Sequence, residues 1–224
     1  MKKLFTLILL CVFTCLVSNA QFIGLRGGFS SSTITASNQN DCKSIHGFQC
    51  GIFAEFPLST TAKWLTIETG LMIQPKGSDI TSYGYYHALG QMPWSTRFQS
   101  ISNVLTNLYY LDIPLSVKMY SSVGKTSLYF EVGPYLGIGL SGKQDGRKIS
   151  WGPSNIDDYK RFDGGISMGV GLKTKPFLIG LSYDLGLTNI YPSGDTDYYS
   201  HNKVFSVFME FIIIHKDKST EQMN

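Results

Sequence analysis

From Asn107 to Gly142 the chain reads NLYYLDIPLSVKMYSSVGKTSLYFEVGPYLGIGLSG, two runs of alternating apolar and polar residues on either side of Ser122-Val123-Gly124-Lys125. A period of two is the mark of a pleated strand, and two such runs about a short turn predict a β-hairpin. In the first run Leu111, Ile113, Leu115, Val117 and Met119 share one face, and Tyr110, Asp112, Pro114, Ser116, Lys118 and Tyr120 share the other. The second run sets Leu128, Phe130, Val132, Pro134, Leu136, Ile138 and Leu140 against Tyr129, Glu131, Gly133, Tyr135, Gly137 and Gly139. Each run exceeds the length of an ordinary soluble strand. The polar face carries Gly, Ser, Tyr and isolated charges instead of the crowded Lys, Glu and Thr of a water-facing sheet. It therefore reads as an interior lining, and the unbroken apolar face suits lipid. A lipocalin-like soluble barrel with its apolar face inward is the alternative architecture.

The same alternation recurs along the chain. Phe22 to Ser32 places Ile23, Leu25 and Phe29 outward and Gly24, Arg26, Gly28 and Ser30 inward; His46 to Phe56 places Gln49, Gly51, Phe53 and Glu55 inward. Trp64 to Lys76 turns Thr66, Glu68, Gly70, Met72 and Gln74 inward, and the longest loop is expected from Gly77 to about Thr106. After the hairpin, strands are expected at Phe162 to Lys173, Phe177 to Ile190 and Lys203 to Ile214. Connections alternate between long and short, as they do when all long loops leave one side of a membrane and all tight turns the other. The expectation is an all-β protein: a single antiparallel transmembrane β-barrel of about eight strands, with both termini periplasmic and no unpaired edge in hydrocarbon. Aromatic residues near the expected strand ends, among them Trp64, Tyr109, Phe177, Tyr191 and Tyr199, match interfacial girdles.

The first residues, MKKLFTLILLCVFTCLVSNAQ, join Lys2 and Lys3 to a short apolar core and small residues at Ser18-Asn19-Ala20. This is the pattern of a secretory signal peptide cleaved after Ala20. The domain reading is a signal peptide at 1–20, an outer-membrane barrel at 21–214 and a polar tail at 215–224. Lys+Arg 19 against Asp+Glu 16 gives +3, and removing Lys2 and Lys3 leaves 17 against 16, or +1, which gives nucleic-acid binding no support. Of 4 cysteines only Cys42 and Cys50 lie outside the signal. Eight positions apart on one extended segment, they are expected roughly 26 Å apart, too far for a disulfide unless the first loop folds back.

Charges of both signs converge on the inward face: Arg26, Glu55, Glu68, Asp112, Lys118, Glu131, Asp163, Asp184 and Glu210. In so narrow a barrel they must pair or stay wet, and the expected result is an internal hydrogen-bonded plug in place of a conducting pore. Catalysis finds little support. His87, His201, Asp79 and Asp195 stand near the outer rim without a nucleophile elbow, a paired-carboxylate motif or metal spacing, and Asp195 and Asp197 supply only half a calcium loop. No metal or cofactor is expected. Binding is the stronger alternative, because the loops carry Tyr83, Tyr85, Tyr86, Trp94, Phe98, Trp151, Tyr159, Tyr198 and Tyr199, rigid amphipathic groups suited to contact surfaces. Packing of these loops on one another over the rim is the competing reading. The expected partners are outer-membrane lipid, the barrel-assembly machinery and, through the long loops, a protein.

The segments YLDIPLSVKMY, FEVGPYLGIGLSGK, FDGGISMGVGLK and LSYDLGLTNI, with IGLRGGFSSST and GLMIQPKG earlier, resemble the PorT-like outer-membrane β-barrel family over nearly all of the chain after the signal. Tyr-Leu-Asp-Ile-Pro-Leu is the most specific piece. The resemblance implies an outer-membrane barrel, in a family whose namesake is associated with type IX protein secretion. The chain departs from a typical outer-membrane barrel at its end, where Phe211 is followed by Ile212 to Asn224 instead of closing on a terminal aromatic.

Overall fold

A computed structural model describes residues 20–36, 42–59, 61–62, 64–86, 98–124, 126–154, 157–192 and 199–215. Within them the alternating runs become β1 (Phe22–Ala36), β2 (Cys42–Pro57), β3 (Leu65–Tyr86), β4 (Phe98–Val123), β5 (Thr126–Gln144), β7 (Phe162–Thr174), β8 (Phe177–Gly186) and β9 (Ser200–His215). These pair antiparallel in the order β1-β2-β3-β4-β5-β7-β8-β9, and β9 pairs back onto β1. The result is a closed eight-strand barrel. A further strand of two residues, β6 (Arg147–Lys148), folds back on the end of β5. Closure pairs the backbone donors and acceptors around the ring, so the ring itself has no open edge.

The pleat sorts the side chains as the sequence expects. Outward Leu25, Leu172 and Ile179 are 50%, 54% and 57% exposed, whereas inward Lys118 and Glu210 are fully buried. This is a soluble protein turned inside out. The inward glycines set the bore. Tyr129 on β5 lies in register with Gly171 on β7 and Gly180 on β8, and Tyr135 with Gly165 and Gly186. A Cβ at Gly171 or Gly180 would run into the Tyr129 ring or hydroxyl, so each tyrosine lies in space that its in-register glycines leave open.

The strand limits differ from expectation at the wide end, where the long connections lie. The expected loop from Gly77 to Thr106 is mostly sheet, since β3 and β4 stay paired up to Tyr86 and Phe98. Pro75-Lys76-Gly77 resembles a terminator, yet the chain passes through it: Gly77 adopts φ 151°, and a Cβ there would collide with the Thr106 carbonyl. Beyond the apolar band neither face needs to be apolar. The alternation that reveals a strand fades there while the hydrogen-bond ladder continues. The same reason extends β1 to Ala36 and starts β2 at Cys42. β8, expected to reach Ile190, ends at Gly186: the backbone amides of Leu187 and Thr188 both donate to the Gly164 carbonyl, and Ile190 is buried over the mouth while Leu187 stays exposed. At the opposite, turn end the connections are tight, and Gly124 takes the left-handed φ of 64° that closes the β4–β5 turn. No disulfide joins Cys42 to Cys50.

Arg in place of outward Val117 or Leu136 puts a charge on the apolar band and should cost about 2–4 kcal/mol near the bilayer midplane. The folded barrel should migrate faster in unheated than in boiled gel samples, and both variants should lose that faster band. Retention of the band in both would show that the face is not lipid-facing.

Candidate functional site

Inward residues of opposite sign meet in three tiers. In the middle tier Arg26 on β1 pairs with its in-register neighbour Glu210 on β9 and reaches Glu68 on β3 at 2.5 Å. Lys118 on β4 meets Glu68 at 2.5 Å, Glu131 on β5 at 3.2 Å and, across the full width of the barrel, Glu210 at 3.4 Å. Two cations thus bind three carboxylates, and the Arg26 guanidinium also lies 4.2 Å from the centre of the Phe208 ring. Every one of these charged groups is at most 9% exposed. Burial at this depth costs each ion its hydration, which close pairing has to offset.

Toward the wide end Lys76 binds Asp112 and Asp163 at 3.0 Å each and lies against the faces of Tyr110 and Tyr135. Asn202 and Tyr135 also donate to Asp163, at 2.9 and 3.3 Å. Asp184 pairs with no lysine among the described residues; Gln74 from the opposite wall and Ser167 donate to it at 3.0 and 2.5 Å. Between this tier and the middle one lies a cavity of about 30 Å³, lined in part by Arg26, Gln74, Asp112 and Asp184. That is room for a water or two, not for a passage. Toward the turn end Lys173 on β7 meets Glu55 on β2 at 3.5 Å, and the Tyr120 hydroxyl donates to the same Glu55 oxygen at 2.8 Å.

The two mouths differ. Over the wide mouth the segment after β6 folds back, and Ile149, Trp151 and Tyr159 pack on Ile34, Leu108, Tyr110 and Ile190 as an apolar cap. The segment is clasped by Asp158, which accepts from Arg147 at 2.7 Å and from the Ser150 backbone amide at 2.7 Å. Burial pushes the Asp158 carboxyl up, but the hydrogen bonds from Ser150 and Arg147 outweigh it and hold the group below its ordinary value. Burial pushes the Tyr159 phenol up. Among the described residues the turn mouth has no such cap, and it opens into a cavity of about 460 Å³.

All nine charges expected inside are there, and two more join them. Lys76 and Lys173 continue the inward parity of β3 and β7, but the first stands beside a proline and a glycine and the second at a strand end, where parity is easily taken to have stopped. The loop aromatics divide between the two readings. Trp151 and Tyr159 are not free contact groups: Trp151 meets the Tyr110 ring edge-on at 5.6 Å, and Tyr159 is buried. Tyr83, Tyr85, Tyr86 and Phe98 lie on the paired ends of β3 and β4 instead of in a loop. Tyr199 is 49% exposed beside His201. Trp94 and Tyr198 fall outside the described residues, as do His87, Asp195 and Asp197. His201 and Asp79 sit on β9 and β3, which β1 and β2 separate, and no catalytic pair forms between them. Among the described residues no cluster of three or more His, Cys, Asp or Glu is placed to hold a metal.

Because Lys118 touches all three middle carboxylates, Lys118→Met should destabilise the barrel by about 3–5 kcal/mol. Adding Glu131→Gln should recover part of the loss by removing one uncompensated charge. Urea titration of the folded fraction in lipid vesicles measures both. An unchanged midpoint for Lys118→Met would show that the pairs contribute nothing.

Two solved structures are similar to the chain: neisserial surface protein A, at 13% identity and a TM-score of 0.44 over 84% of this chain and 96% of that one, and OprG from Pseudomonas aeruginosa, at 13% and 0.41 over 87% and 94%. No curated protein matches it in sequence. Residues 19–191 match the family described as outer membrane protein beta-barrel domain, more than half of the sequence. The chain belongs to that family of outer-membrane β-barrels.

Proposed function

We propose that the protein is a non-conducting, non-enzymatic barrel of the PorT-like group. In this reading residues 1–20 are removed, the turns and both chain ends face the periplasm, and the wide end faces out of the cell. The observation that carries it is the interior itself. Transverse ion pairs and hydrogen bonds occupy the bore, an apolar cap covers one mouth, and the cavity within is about 30 Å³. A hydrated ion needs a continuous wet path, which side chains so paired do not leave. Planar bilayers holding the purified protein should therefore show no conductance steps. Regular steps from protein whose heat-modifiable band confirms folding would overturn the reading.

A second reading, partner binding or a part in secretion, is favoured by one feature. Neighbouring strands stop pairing with β3 at Ile80 and with β4 at Thr106, while β3 and β4 remain paired with each other to Tyr86 and Phe98. About six further residue pairs, on the order of 20 Å of hairpin, stand clear of the barrel and bear Tyr83, Tyr85 and Tyr86. Joining Ser82 to Ser102 by a two-residue turn removes four of these six pairs, all three tyrosines with them, without touching a barrel pairing. The shortened protein should still assemble and should lose any partner cross-linked to the intact one. A partner retained by the shortened protein would move the contact elsewhere.

A further inference from the structure

The uncapped turn mouth holds a cavity of about 460 Å³, within the size range of small-molecule sites, and its walls include Phe22, Trp64, Tyr120, Glu55, Lys173 and Lys175. Among the described residues that line it, the charge is not balanced. The Lys173 ammonium lies 3.8 Å from the centre of the Phe22 ring and 4.4 Å from that of Tyr120, and its ion pair is with Glu55. The Lys175 ammonium lies 5.3 Å from the same Phe22 ring and makes no ion pair among the described residues. Two cations therefore converge on one aromatic ring against a single carboxylate, and that carboxylate is already engaged by the Tyr120 hydroxyl. Contact with the ring faces steadies the ammonium groups, but it does not neutralise them.

We propose that this cup is a binding site for a small organic anion, a phosphate or carboxylate joined to a flat apolar body. The anionic group meets Lys175 and Lys173, and the body lies against the exposed Trp64. The tier formed by Glu55 and Tyr120 closes the inner side of the cup, so the ligand enters and leaves by the turn mouth alone. The site stands independently of whether the wide-end hairpin binds a partner.

The test uses the full chain in nanodiscs of phosphatidylcholine, with phenyl phosphate as the probe and Trp64 fluorescence as the readout. Phenyl phosphate should produce a saturable change and uncharged benzyl alcohol should not. Lys175→Gln removes only an exposed turn cation and should weaken binding about tenfold or more, while Trp64→Phe should remove the signal. The heat-modifiable band confirms that each variant is folded. Dihexanoyl phosphatidylglycerol, added as a competitor, separates the sources of the anion: displacement at concentrations below those of phenyl phosphate points to a lipid headgroup, and weaker displacement to a soluble anion. The proposal is overturned if the wild type gives no saturable response, if benzyl alcohol binds equally well, or if Lys175→Gln binds as the wild type does.

Discussion

Ties across the bore hold this structure together. Counted around the ring, β4 and β9 face each other, as do β2 and β7, and β3 and β8. Each of these opposed pairs is joined through the middle: Lys118 to Glu210, Lys173 to Glu55, and Gln74 to Asp184. A barrel in lipid gains little from bringing apolar groups together, because its surroundings are already apolar. Its specificity has to come from the backbone ladder and from the interior. Polar side chains that meet across the diameter fix the bore as well as fill it, since a change in stagger between strands would part them. Their burial would be costly if any partner were absent.

The ties also resolve a conflict built into the register. Glu55 and Glu68 are directly opposed on β2 and β3, an arrangement of like charges that weakens a sheet on its own. The two carboxylates avoid each other by joining different tiers. Glu68 turns to Arg26 and Lys118 in the middle, and Glu55 to Lys173 and Tyr120 at the turn end. The glycines of β7 and β8 belong to the same scheme. Small residues on one wall leave space for Tyr129 and Tyr135 from β5, whose rings cover Lys118 and Lys76.

Much of this was legible in the sequence, because lipid enforces a strict period of two. Hydrocarbon outside and a narrow bore inside leave each residue between Leu65 and Gln74, or between Leu128 and Gly139, only one acceptable face. The pairing of Arg26 with Glu210 was not legible, because register between distant strands is set by closure of the whole ring and not by any local pattern. Nor was the apolar cap. Trp151 and Tyr159 stand in the polar stretch KQDGRKISWGPSNIDDYKR, where nothing in the spacing distinguishes an aromatic turned down into the mouth from one held out to solvent. The strand ends beyond the membrane were missed for a related reason, since once both faces meet water the sequence ceases to alternate.

The cap and the cup together give the barrel a direction. Ile149, Trp151 and Tyr159 place apolar groups over the wide mouth, where burying them on Leu108 and Tyr110 is favourable, and Lys76 beneath them is fully buried. At the turn mouth no equivalent segment folds back among the described residues. The connections there are too short to cover the opening, so Lys173 and Lys175 remain at the wall of an open cavity. The asymmetry follows from connection length. Long connections have enough chain to seal the mouth they leave from, and tight turns do not. In a barrel whose bore is filled, chemistry that depends on access from the interior is thereby confined to the turn side, and contacts on the other side fall to the outer surfaces of the long connections.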